Sequence, residues 1–97
     1  MSLKIYIRGG GDLASGVAAR LYRAGWYVLI TEIAQPLAVR RSVAFAEAVY
    51  SGRIVVEDIL GVKTSSITES MRVMENGAVA ILVDPLATTL GELRPDI

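Results

Sequence analysis

Three consecutive glycines, Gly9 to Gly11, separate the apolar run LKIYI at 3–7 from a segment in which Leu13, Ala14, Val17, Ala18 and Leu21 recur at helical spacing. Ordering glycine costs more backbone entropy than ordering any other residue. A triplet at a strand-to-helix junction therefore points to a backbone shape, or a close approach, that a side chain would forbid. The helical segment carries Arg20 and Arg23 near its end, where cations suit the helix dipole, and Gly25 follows at a natural stop. WYVLI at 26–30 is then a continuous apolar run, the pattern of a strand covered on both faces. The five apolar positions 13, 14, 17, 18 and 21 read as one buried stripe. A strand, a helix and a strand within about thirty residues make a βαβ unit with a right-handed crossover.

The remainder extends that plan. IAQPLAVRRS at 33–42 reads as a connection, and 43–50 as a short helix stopped at Gly52. RIVVEDI at 53–59 is strand-like, with LGVKT after it as a hairpin return or a loop. Ser66 and Glu69 form a capping box for a helix that buries Ile67, Met71 and Met74 and ends at Asn76-Gly77. AVAILV at 78–83 is a second apolar strand closed by Asp84-Pro85, and LATTLGEL beyond it reads as a short helix. The expected fold is α/β: a Rossmann-like, open, mainly parallel sheet of about four strands with helices on both faces. Residues 1–97 form one domain in this reading. LRPDI at 93–97 resembles the entry to another strand, so the sheet looks unfinished and the chain is expected to be a fragment of a longer protein. An apolar share of 53% with mean hydropathy +0.47 is rich for so small a domain. The surplus calls for a covering partner, and a homodimer is expected.

Charge narrows the function. Ten basic and ten acidic residues balance, leaving no one-sign field for nucleic acid or an anionic membrane surface. Without cysteine or histidine the chain offers neither thiolate chemistry nor the commonest metal ligand and general base. No export signal or membrane span is read in it, so the expected location is the cytoplasm. The serines have no histidine to activate them, and no catalytic set emerges.

Gly9-x-Gly11-x-x-Ala14 fits the dinucleotide fingerprint with alanine at its third place. The first glycine permits the turn. The second lets a phosphate approach, and Gly10, Asp12 and Leu13 complete the loop and first helical turn, whose amides would face an anion. Glu32, roughly twenty residues on at the end of the next strand, suits the hydroxyls of an adenosine ribose. Arg40 and Arg41 are guanidinium forks able to grip phosphate or carboxylate, and otherwise a solvated pair. Arg8 offsets Asp12 or is a surface charge. Asp84 sits at a strand's carboxyl end, either beside a ligand or starting an Asp-Pro turn. The glycines themselves fit either a nucleotide cradle or a turn that serves folding alone.

IRGGGDLASGVAARLYRAG, TEIAQPLAVRRSVAFAEAVYSG, ILVDP and LRPDI resemble, in that order and over nearly the whole chain, the YqeB-type accessory proteins of the selenium-dependent molybdenum hydroxylase system. That family is related in its Rossmann-like part to XdhC-type maturation factors. The resemblance implies a role in maturing a molybdenum hydroxylase, with the hydroxylase apoprotein as partner and molybdenum cofactor, as molybdopterin dinucleotide, among its ligands. It carries over to Gly9, Gly10, Gly11 and Asp12, to Glu32, and to Gln35, Pro36, Arg40 and Arg41. The fingerprint with Glu32 equally suits NAD and an NAD-dependent oxidoreductase fragment. A non-catalytic assembly module is the third reading.

Overall fold

The computed structural model describes residues 3–35 and 44–96. Strand β1 (Lys4–Arg8) leads through the glycines into helix α1 (Asp12–Arg23) and then β2 (Tyr27–Glu32). A 3-10 turn (Phe45–Glu47) runs into the short helix α2 (Ala48–Ser51). The hairpin β3 (Arg53–Val56) and β4 (Ile59–Thr64) comes next, then α3 (Ile67–Glu75), β5 (Val79–Val83) and α4 (Leu90–Leu93). The five strands lie in the order β1-β2-β5-β4-β3. All neighbours are parallel except the β3–β4 pair, and Lys4 opposes Tyr27 while Leu29 opposes Ala80.

The strand count exceeds the expected four because LGVKT is a true hairpin return. Its turn residues, Glu57 and Asp58, both take positive φ, +51° and +68°, the shape of a type I′ turn. Neither glycine nor asparagine marks that turn, so the sequence hides it. Arg23 at the end of α1 supports it from outside, with its guanidinium 3.2 Å from the Glu57 carboxylate and donating to the Glu57 carbonyl.

Alternating side chains of the central strands feed two cores. Ile5, Val28, Ile30, Val79 and Ile81 pack with Ala18, Ala19 and Phe45 on one face. Leu29, Ala80 and Leu82 pack with Met74 and Leu93 on the other. Helices therefore cover both faces, which is why β2 over 27–30 and the whole of β5 are apolar. Each large aliphatic side chain so buried contributes about 1.5–3 kcal/mol, so these two strands dominate the fold's stability.

Helix α1 departs from the single buried stripe expected for it. Ser15, Ala18 and Ala19 face the sheet, whereas Leu13 is 89% and Val17 54% exposed. Of the expected stripe Ala18 is buried and Leu21 packs partly against the core together with Tyr22, while Leu13 and Val17 lie outside it. At the far helix the capping box forms with a shift. The Ser66 hydroxyl accepts from the Glu69 amide, but the Glu69 carboxylate reaches back to the Ser65 amide. Among the described residues no helix is long and apolar enough to cross a membrane.

Candidate functional site

The carboxyl ends of β1, β2 and β5 meet at a cleft of about 150 Å³ lined by Arg8, Gly9, Thr31, Glu32, Ile33, Asp84 and Pro85. The three loop glycines at its border do three different jobs. Gly9 has φ +89°, a backbone shape that suits glycine, and its amide donates to the Thr31 carbonyl at 2.7 Å. Gly10 is a contact point. A Cβ there would stand 3.0 Å from the Ala46 amide nitrogen and 3.1 Å from Ile30. Its carbonyl accepts from the Ala46 amide and from the Ser15 hydroxyl, and that hydroxyl in turn accepts from the Phe45 amide. The segment at 44–47 thus docks on the loop through Gly10 and the buried Ser15.

Gly11 is different. Its φ of −72° is open to any residue, and a Cβ would meet nothing within 4 Å. It is the N-cap of α1, with no side-chain hydrogen bond capping the helix. The first helical bond runs from Ser15 to the Gly11 carbonyl, so the amides of Gly11, Leu13 and Ala14 have no intrahelical acceptor. Leu13 stands exposed beside them. Asp12 opens the helix.

Glu32 is placed at the end of β2 as expected, and both its oxygens accept backbone amides. Oε2 takes the Gly10 amide at 2.7 Å and Oε1 the Ile33 amide at 2.9 Å. The carboxylate thus braces the glycine loop, keeping one lone pair on each oxygen for another donor. Of the amides in the loop, those of Gly9 and Gly10 are engaged, and that of Gly11 has no acceptor among the described residues. Arg8 crosses the cleft and donates to the Pro85 carbonyl at 3.0 Å. Gln35 lies exposed beyond β2 and is not among the residues that line the cleft. Pro36, Arg40 and Arg41 lie outside the described residues.

Asp84 works as a loop staple. Its carboxylate accepts the amides and hydroxyls of both Thr88 and Thr89, and the Tyr6 hydroxyl at 3.3 Å. Desolvation raises its pKa, but the hydrogen bonds from Thr89 and Thr88 outweigh that and hold the carboxyl well below its ordinary 3.8. The Asp-Pro turn read from the sequence is present, and Thr88 and Thr89, which carry no mark of this role in the sequence, hold it. Among the described residues no cluster of acidic, histidine or cysteine side chains is arranged to hold a metal ion.

No family model matches the chain, and no solved structure does. The chain is 44% identical over 91 residues to the uncharacterized protein YqeB of Escherichia coli strain K12. That alignment takes in 94% of this chain but spans only 17% of the length of YqeB.

Proposed function

We propose that this chain holds a nucleotide-like cofactor by its phosphates at the amino end of α1, in service of maturing a selenium-dependent molybdenum hydroxylase in the cytoplasm. One observation carries the binding half of this reading: Gly11, the N-cap of α1, is a glycine that neither its φ nor any neighbouring atom requires. Gly9 answers to its φ and Gly10 to Ala46, while Gly11 leaves open space before a helix whose Leu13 and Ala14 amides have no acceptor among the described residues. A phosphate would use that space, because first-turn amides and the helix dipole both favour an anion.

What favours a ligand at the glycine loop is its place in the sheet rather than the strand order. β1, β2 and β5 lie side by side and parallel, α1 joins β1 to β2 on one face and α3 joins β4 to β5 on the other, and the loop follows the carboxyl end of β1, the edge where open α/β sheets hold ligands. A dinucleotide form of molybdopterin is the ligand favoured by the resemblance in TEIAQPLAVRRSVAFAEAVYSG, and the hydroxylase apoprotein is the partner. The cofactor would supply any chemistry; the residues here bind and orient it. The surplus of apolar residues supports a second copy as a further partner.

Calorimetry with molybdopterin dinucleotide, NAD and AMP tests the reading. Binding of the molybdopterin form, lost in Gly11→Val while the variant keeps its fold, is the expected outcome. Binding of NAD alone would replace it with an oxidoreductase fragment, and binding of none would leave an assembly module whose glycines serve folding.

A further inference from the structure

We propose that a second cleft, at the amino end of the sheet and remote from the glycine loop, binds an organic cation: an alkylated ammonium or a guanidinium head. This cleft measures about 360 Å³, within the range of ~300–1,000 Å³ typical of small-molecule sites. Tyr22 and Trp26 wall it from one core, and Tyr27 and Met74 from the other. Three aromatic residues line it in a chain that has one Trp, four Tyr and one Phe. Aromatic faces carry negative potential and attract cations whose hydration is weak.

The electrostatics point the same way. Helices α1 and α3 both end at this cleft, through the same turn. Trp26 and Gly25 donate back to the Leu21 and Tyr22 carbonyls, as Ala78 and Gly77 do to those of Val73 and Met74. The negative ends of two helix dipoles therefore converge. Glu75 adds an exposed carboxylate with no partner among the described residues. The cation lining the cleft, Arg23, is committed to the Glu57 carboxylate and carbonyl. The Tyr22 hydroxyl donates to the Gly77 carbonyl at 2.6 Å and ties the two helix ends together, so the cleft is built before a ligand arrives. One carboxylate among aromatic rings suits a bulky organic cation better than a hydrated metal ion, which calls for several oxygen ligands.

Trp26, the single tryptophan, reports on this cleft directly. The test is to titrate the whole chain with tetramethylammonium chloride and with a blocked arginine tripeptide, against sodium chloride at matched ionic strength. A saturable change in Trp26 fluorescence with an organic cation and none with sodium is expected. Glu75→Gln, on the surface, should weaken binding about fivefold, the size of one solvent-exposed charge pair. Tighter binding of tetramethylammonium would assign a free small cation, and tighter binding of the tripeptide a side chain of a protein partner. A fluorescence change that follows ionic strength alone would overturn the proposal, as would equal affinity in Glu75→Gln and in Tyr27→Leu, provided both variants keep the parent circular dichroism.

Discussion

Alanine placed in turn at Gly9, Gly10 and Gly11 should give three distinct stabilities from three adjacent residues of one type. At Gly10 the new methyl would press on the Ala46 amide at 3.0 Å and on Ile30 at 3.1 Å, and the first of these is backbone that cannot rotate away. Relief requires the 44–47 segment to lift, which costs about 1–3 kcal/mol for overpacking. Loss of the 2.9 Å bond from Ala46 to the Gly10 carbonyl adds ~0.5–1.5 kcal/mol. Gly10→Ala is therefore expected to destabilise by roughly 2–4 kcal/mol. At Gly9 the space is open but φ is +89°, so alanine bears a left-handed penalty of about 1–2 kcal/mol. At Gly11 neither objection exists. Alanine loses a little as an N-cap and gains ~0.4–1 kcal/mol from a stiffer unfolded chain, which leaves stability near the parent. Urea unfolding followed by Trp26 fluorescence ranks the three. A Gly10→Ala protein as stable as the parent, or Gly11→Ala as the weakest, would refute the division of labour argued for the loop.

Two further outcomes follow from packing and charge. Gly61→Ala should destabilise by about 1–3 kcal/mol, because its methyl would sit 2.7 Å from the Phe45 ring and 2.9 Å from Ile81. Phe45→Leu should couple favourably with it in a double-mutant unfolding cycle, and strict additivity would count against that contact. The Asp84 carboxyl has a folded pKa below its ordinary 3.8, so its stabilisation is present above the ordinary value and drains away as pH falls from there through the lower folded value. Asp84→Asn should lower stability by ~1–3 kcal/mol at pH 7 and flatten the acid side of the stability profile below about pH 4. A variant with the parent's acid limb would show that the staple is not what titrates.

Much of the scaffold could be read because its signals are local. Apolar runs bounded by Gly25, Gly52 and Gly77 marked strands and helix ends, and Ser66 with Glu69 marked a helix start. What escaped depends on contacts between distant residues. Helical spacing groups Leu13 with Val17 but does not say which side of α1 the sheet will take, and the side it takes runs through Ser15, Ala18, Ala19 and Tyr22. The Glu57-Asp58 turn lacks the usual glycine or asparagine, and the Arg23 that braces it lies thirty-four positions earlier. Glu32 was placed at the right strand end, yet its bond to Gly10 reaches across twenty-two residues and has no mark in the sequence. The same holds for Gly10: only the arrival of Ala46 explains why a side chain is missing there.

Ser15 has a mechanical consequence. Its hydroxyl joins the Gly10 peptide to the backbone of Phe45, whose ring lies fully buried in the core. The loop cannot shift without dragging on the molecule's interior, so it behaves as a rigid socket. An anion arriving there would bear little ordering penalty, and its grip would report the fit of its own shape.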